Sequence, residues 1–182
     1  MIDPNQLTEC LQALMQPNTE IVKQATDYLN NTARNLKGYC SSLLNMTIDE
    51  NQSIHLRQLA VTTLGQEIKH NYSNVKDSVI PEEEKEFLRN RICHSIIVCS
   101  SSKPLKKMLQ QIFYKMVSTD FPLKWPNMLN NVIEFLKSTT QTTELYGVLS
   151  CVKTILECFE FVSIANVKKD TLNTLVSNLF PF

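Results

Sequence analysis

Residues 104–116 read Pro-Leu-Lys-Lys-Met-Leu-Gln-Gln-Ile-Phe-Tyr-Lys-Met, and this stretch decides the class of fold. Its apolar residues stand at positions 105, 108, 109, 112, 113 and 116, which is the spacing of one face of an α-helix. Pro104 suits the first turn of such a helix, where the N–H group that proline lacks would have no partner. The stretch therefore predicts an amphipathic helix with one buried side.

The same spacing recurs along the whole sequence and predicts nine helices and no strand. The predicted apolar stripes lie at residues 7–15, 21–29, 39–46, 56–68, 88–99, 105–116, 128–136, 145–159 and 172–179. Start signals precede several of them: Asp3 before Pro4, Ser53, Pro81 before three glutamates, and Pro126. The predicted loops are short except for the polar stretch 73–79.

Composition narrows the range of functions. The protein has 182 residues, 43% apolar and 20% charged, which is enough for a folded core. Eighteen basic residues balance eighteen acidic ones, so no overall field favours nucleic acid or an anionic membrane as a partner. With only three glycines, a phosphate-binding loop of the P-loop or dinucleotide type cannot be built.

The six cysteines point to core packing rather than to chemistry. None of them stands in a C-x-x-C spacing, and the N-terminal residues do not resemble a secretion signal. Cys93, His94 and Cys99 are close in sequence, but Cys93 and Cys99 would face different sides of a helix and could not converge on one metal. We therefore expect an intracellular protein with no metal, no cofactor and no catalytic site.

The helices group into pairs with a regular period. The first helices of successive pairs begin near residues 4, 36, 81, 126 and 166, at intervals of about 32 to 45 residues, close to the period of a two-helix HEAT repeat. We expect an all-α, right-handed superhelical solenoid of about four and a half repeats: 1–35, 36–72, 80–119, 125–161 and the incomplete 166–182. Because the ninth helix has no partner, we also expect these residues to be the N-terminal region of a longer protein.

Three segments, in this order and spacing, carry a resemblance to a known family. They are Arg57-Gln58-Leu59-Ala60, the segment Asp120-Phe121-Pro122-Leu123-Lys124-Trp125-Pro126, and Cys151-Val152-Lys153-Thr154-Ile155 running on to Phe161. With Ile80-Pro81-Glu82-Glu83 between the first two, the sequence resembles the N-terminal part of an importin-β-like karyopherin. It is most similar to the importin-seven/eight branch.

The resemblance implies a nuclear transport receptor that moves between cytoplasm and nucleus through the nuclear pore. In such a receptor, the second helices of the first repeats bind the GTPase Ran in its GTP form, which releases imported protein cargo. Grooves between outer helices take Phe-Gly repeats of nucleoporins, and the branch suggests basic cargo such as ribosomal proteins or histones. No cofactor, membrane or nucleic acid is implied. An exportin of the same superfamily and a HEAT-repeat scaffold without Ran binding are the alternatives.

Helical wheels place several polar side chains opposite the apolar stripes, where the resemblance implies contact with Ran. Such faces are also often simply solvated. The candidates are Lys23 and Asp27 on the second helix, Gln58, Thr62, Gln66 and Lys69 on the fourth, and Lys107 and Tyr114 on the sixth. Gly65 stands where the family commonly has a lysine that touches Ran.

Other side chains are expected to have structural roles. Arg57 falls inside the apolar stripe of the fourth helix, where a guanidinium needs a carboxylate or carbonyl partners, and we interpret it as a link between repeats. Pro122 and Pro126 should fix the turn between the sixth and seventh helices. Phe121 and Trp125 should pack between repeats at this turn.

Overall fold

A computed structural model describes residues 1–73 and 80–160, together with residues 173 and 177. These residues form eight α-helices and no strand. The helices are α1 (Pro4–Ala13), α2 (Thr19–Asn31), α3 (Tyr39–Ile48), α4 (Ile54–Asn71), α5 (Glu82–Val98), α6 (Lys103–Asp120), α7 (Met128–Ser138) and α8 (Thr142–Glu160). The predicted all-α fold is confirmed. The predicted ninth helix at 172–179, apart from residues 173 and 177, and the predicted loop 73–79, apart from residue 73, lie outside the described residues.

Short polar side chains cap the N-termini of α1, α2 and α4, and the sequence predicted two of these caps, Asp3 and Ser53. Asp3 Oδ1 accepts a hydrogen bond from the Asn5 backbone N at 2.9 Å, and Pro4 occupies the first turn of α1. Asn18 Oδ1 accepts from the Glu20 backbone N at 3.0 Å at the start of α2. Ser53 Oγ accepts from the Leu56 backbone N at 3.3 Å at the start of α4. Each cap satisfies an N–H group that has no partner within its helix.

The protein divides into two compact units, Met1–Arg91 and Ile92–Phe182. In the first unit, α1 packs on α2, α3 packs on α4, and α4 also contacts α1. The fully buried leucines of this unit come from α1, α3, α4 and the first part of α5. They are Leu7, Leu11, Leu43, Leu44, Leu56, Leu64 and Leu88.

Glu84 joins α5 to the start of α3 within the first unit. Its carboxylate accepts hydrogen bonds from the backbone N of Gly38 and, at 2.9 Å, from the backbone N of Ser41. Gly38 has a φ of +92°, a conformation that disfavours other residues, and it leads directly into α3. The sequence predicted only a helix start for the glutamates at 82–86. Glu84 instead caps a second helix, because a carboxylate is favoured at the positive end of the α3 dipole.

In the second unit, α8 packs on both α6 and α7. Gly147 of α8 lies directly against α5, since a Cβ atom on this glycine would stand 2.7 Å from the Ile97 Cα. One turn further along α8, the thiol of Cys151 is hydrogen-bonded to Cys93 of α5, and this bond together with burial raises the pKa of Cys93 well above its ordinary value. Five of the six cysteines are buried and Cys158 is half-buried, as expected of core residues.

The turn between α6 and α7 is anchored by two aromatic residues. Trp125 is 5% exposed and packs edge-to-face on Phe113 of α6, with 5.8 Å between the ring centroids. Phe121 packs in the same way on Phe159 of α8, at 5.9 Å. The Phe121–Pro122 peptide bond is cis, and Pro126 is exposed two residues before α7 begins.

Candidate functional site

A cleft of about 530 Å³ lies between α2 and α4, the second helices of the first two pairs. Thr62, Gln66 and Lys69, three of the predicted contact residues, line the α4 side. Side chains from α2 and the turn after it line the opposite side, chiefly Thr26, Asn30 and Arg34. The fold therefore turns part of the predicted polar face of α4 into one wall of a concave site.

A salt bridge between Arg34 and Glu67 closes the floor of the cleft. Arg34 Nη2 lies 3.4 Å from Glu67 Oε1, and Asn71 Nδ2 donates to the same oxygen at 2.6 Å. Tyr39 lines the cleft and is only 4% exposed. Burial, with a smaller contribution from the charge of Glu67, raises the pKa of Tyr39 above its usual range. The phenol therefore stays neutral, and Glu67 is committed to partners within the protein.

The rim of the cleft carries polar groups that face solvent. The Thr26 and Thr62 hydroxyls each donate to the carbonyl four residues earlier in their own helix, Val22 and Gln58. Asn30, Gln66, Lys69 and His70 are exposed. Within residues 1–73 and 80–160, no side-chain hydrogen bond or ion pair engages these four, so two amides, an ammonium and an imidazole remain available to a ligand.

The other predicted contact residues of the first unit lie outside this cleft. Lys23 and Asp27 are exposed on α2, and Gln58 is half-buried in the second turn of α4. The α4 helix runs without interruption through Gly65, which is half-buried. The structure therefore brings together Thr62, Gln66 and Lys69, and leaves Lys23, Asp27 and Gln58 outside the lining.

In the second unit, two side chains of α6 bridge to α8. Gln110 Nε2 donates to the Ser150 carbonyl and to Thr154 Oγ1, both at 3.3 Å. The ammonium of Lys106, a residue only 7% exposed, lies 3.5 Å from the centroid of the Tyr146 ring. By helical spacing, Gln110 lies opposite the apolar stripe of α6, on the polar side that also carries Lys107 and Tyr114. It is nevertheless half-buried, because α8 packs along that face.

Lys107 and Tyr114 remain accessible on α6. Lys107 is exposed, and Tyr114 is 42% exposed even though its backbone carbonyl accepts a hydrogen bond from Cys158 Sγ at 3.7 Å. These two side chains offer a cation and an aromatic ring on one surface of the second unit.

Arg57 joins helices within one pair. Its Nε donates at 2.9 Å to the Thr47 carbonyl near the end of α3. The carbonyls in the last turn of a helix have no partner within it, and the guanidinium at the start of α4 supplies one. Because α3 and α4 both lie in the predicted repeat 36–72, this hydrogen bond lies inside one repeat, and the role of Arg57 as a link between repeats stays a prediction.

Sequence reasoning overlooked Lys106, although the sequence contains a signal for it. Lys106 adjoins Leu105 and Leu109, both fully buried, so a charged residue stands at the edge of a buried stripe. A lysine in that position needs a neighbouring group that stabilises its charge, and the Tyr146 ring supplies it. The identity of that group could not be read from α6 alone.

A smaller cavity of about 410 Å³ lies between α1 and α3, the first helices of the first two pairs. Its lining is mainly polar and includes Asn5, Asn45, Asp49 and Gln52. Hydrogen bonds, first from the Asn51 backbone N, hold the pKa of Asp49 below its usual value.

Among the described residues, no helix is long and apolar enough to cross a membrane, and no three metal-ligating side chains cluster together.

Three kinds of comparison relate this protein to known ones. The model of the importin-beta N-terminal domain family matches residues 25–98, from α2 to the end of α5. A probable importin-7 homolog of Dictyostelium discoideum is 23% identical over 97% of this chain and 16% of that protein. Exportin-2 of Homo sapiens is 27% identical over 72% of this chain and 13% of that protein.

The solved structures include a close match in fold. The exportin Cse1 in its cargo-free, cytoplasmic state matches 98% of this chain and 19% of that chain, with a TM-score of 0.86 at 16% sequence identity. The match confirms the predicted helical solenoid as the class of fold. The chain spans less than a fifth of the length of these relatives.

Proposed function

We propose that this chain is an importin-β-like karyopherin, as the family match at residues 25–98 supports, and that it binds the GTP form of Ran through the second helices of its first pairs. Ran binding would release protein cargo carried through the nuclear pore. The two ligands would then be negatively coupled, each weakening the binding of the other by the same factor. The protein would work as a receptor and not as an enzyme.

One observation carries this proposal: the importin-beta N-terminal domain match at 25–98 includes the whole of α4. Gln66 and Lys69 lie exposed on this helix at the cleft rim, and Lys23 and Asp27 are exposed on α2. In the second unit, Lys107 and Tyr114 supply a further accessible surface. We assign these six side chains, with Gln58 and Thr62, to the Ran contact.

The proposal is tested by binding of the purified protein to Ran loaded with a non-hydrolysable GTP analogue or with GDP. We expect the GTP-analogue form to bind at least about tenfold more tightly, a difference of roughly 1.4 kcal/mol. Lys69→Glu and Lys107→Glu should each weaken binding, because both replace an exposed cation in the proposed contact. Lys124→Glu reverses an exposed charge in the α6–α7 turn and serves as the matched control.

Equal binding of both nucleotide forms, or no binding of either, would remove Ran from the proposal. Equal losses in the Lys69→Glu, Lys107→Glu and Lys124→Glu variants would show a general charge effect and would reject the assigned site. Circular dichroism of each variant separates loss of binding from loss of folding.

Export is the second candidate function, favoured by the exportin-2 and Cse1 matches. An exportin binds cargo together with Ran, whereas an importin binds one or the other. Adding Ran in its GTP form to an immobilised receptor–cargo complex distinguishes the two, since cargo release indicates import and cargo retention indicates export.

The remaining parts of the proposal concern the whole protein. We place these residues at the N-terminal end of a longer receptor, with repeats at 1–35, 36–72, 80–119, 125–161 and 166–182. Basic proteins are the proposed cargo, Phe-Gly nucleoporins are the proposed pore partners, and the receptor would move between cytoplasm and nucleus. None of these roles requires a cofactor of its own.

A further inference from the structure

The α2/α4 cleft has the features of a peptide site as well as those of a protein contact surface. We propose that it binds an extended, acidic segment of a partner protein. This inference concerns the chemistry of the cleft itself and does not depend on Ran binding.

The size of the cleft fits a short stretch of extended peptide. On α4 its lining includes Thr62 at one end and His70 at the other, eight residues apart. At 1.5 Å per residue this distance is about 12 Å. An extended peptide advances about 3.3 Å per residue, so roughly four residues fit along the wall.

The free hydrogen-bonding groups suit a peptide backbone. Asn30 on α2 and Gln66 on α4 stand on opposite walls, and each carries an amide that both donates and accepts. The carbonyl and the N–H of a peptide unit require the same two functions. The threonine hydroxyls add little capacity for donation, since Thr26 and Thr62 already donate within their own helices.

The charge of the cleft selects an acidic segment. Arg34 and Glu67 neutralise each other at the floor, and Asn71 also donates to Glu67. Lys69 is the exposed charged side chain in the lining, and the imidazole of His70 lies beside it. A carboxylate entering the cleft would therefore meet a cation on the rim, whereas a lysine would meet no accessible carboxylate in the lining.

In the second unit, α8 already engages the corresponding side chains of α6. There the amide of Gln110 and the ammonium of Lys106 are already bound to α8. Gln66 and Lys69 carry the same two groups, an amide and an ammonium, in the first unit. There, both groups are exposed to solvent.

The test is fluorescence anisotropy with this 182-residue chain and a labelled eight-residue peptide containing four consecutive aspartates and glutamates. Two further peptides carry Asn and Gln, or Lys, at the same four positions. We expect the acidic peptide to bind about tenfold more tightly than the neutral one, as a charge-assisted hydrogen bond allows. Lys69→Glu should remove this preference, and Asn30→Ala with Gln66→Ala should weaken both the acidic and the neutral peptide.

Lys124→Glu is again the matched control and should leave the affinity for the acidic peptide unchanged. The proposal is overturned if the neutral peptide binds as well as the acidic one, or if Lys69→Glu and Lys124→Glu have equal effects. Amide hydrogen exchange gives a second readout, since bound peptide should slow exchange in α2 and α4 and leave α6 and α8 unaffected. Because no GTPase is present, a failure here leaves the proposed Ran binding untouched.

Discussion

The α2/α4 and α6/α8 pairs are each formed by the second helices of neighbouring helix pairs, but they differ in what occupies the space between them. Long side chains bridge α6 and α8, where Gln110 reaches Ser150 and Lys106 reaches the ring of Tyr146. Between α2 and α4 a cleft of about 530 Å³ remains open. The backbones of α6 and α8 approach each other much more closely than those of α2 and α4. The comparison therefore shows that the spacing of two such helices separates a packed pair from one with an open cleft.

The largest expected effect comes from disturbing the close approach that holds α8 in place. Gly147→Val adds three carbon atoms where even a Cβ would stand 2.7 Å from the backbone of Ile97. We expect a loss of about 3 kcal/mol in the free energy of unfolding, since overpacking of this kind costs about 1–3 kcal/mol and here a backbone atom must move. Urea unfolding measures it.

Thr143→Val places the same side chain at an exposed position of α8 and is the control. Helix propensity alone predicts no loss in either variant, because valine is a better helix former than glycine and is similar to threonine. If the Gly147 and Thr143 variants have equal stability, the close approach to Ile97 does not limit this position. The seam between α6 and α8 would then not depend on the position of α8 against α5.

Removing the aromatic ring that covers Lys106 should lower the free energy of unfolding by a smaller amount. Tyr146→Leu removes the ring from a lysine that is only 7% exposed, whereas Tyr146→Phe keeps it. A cation–π contact of this kind contributes about 0.5–2 kcal/mol, so the leucine variant should be about 1 kcal/mol less stable than the phenylalanine variant. Equal stability of these two variants would show that the ring serves only as apolar cover.

The contrast between the pairs also shows how far the sequence can predict the site. The spacing of Leu105, Leu109 and Phe113 establishes the helix and its buried side, because periodicity reflects the polarity of a helix's own faces. It does not reflect the distance to the next helix. Gln66 and Gln110 both read as polar-face glutamines, yet the first is exposed and the second is bound to α8.

Glu84 illustrates the same limit over a longer separation in sequence. Its place in the first turn of α5 has a sufficient local explanation in the helix dipole. Its contacts with Gly38 and Ser41, more than forty residues earlier, depend on how α3 and α5 meet. Such a cap leaves no periodic pattern, so only the structure reveals it.

Gln110→Ala would make the second pair more like the first. The substitution removes two hydrogen bonds to α8, and we expect a loss of about 1 kcal/mol, the usual net contribution of such a bond. Amide hydrogen exchange in α6 and α8 should become faster, while α2 and α4 stay unchanged. Gln66→Ala is the matched control and should not lower stability, because its amide contacts solvent. Equal losses would indicate that the two glutamines are in similar environments and would contradict the comparison.

The smallest expected effect concerns the floor of the open cleft. Burial raises the pKa of Tyr39 above its ordinary value of about 10, so the folded state holds the phenolic proton more tightly than the unfolded state does. The stability that this proton contributes is fully present below about pH 10 and is lost as the pH rises from there through the folded-state pKa.

Tyr39→Phe removes this titration but keeps the ring. Urea unfolding at about pH 8 and about pH 10.5 should therefore show a steeper loss for the wild-type protein than for the variant. The neighbouring thiol of Cys40, whose pKa burial also raises, titrates in both proteins and cancels in the difference. Equal slopes would mean that solvent reaches Tyr39, and the cleft would then lack the closed floor that distinguishes it from an ordinary groove between helices.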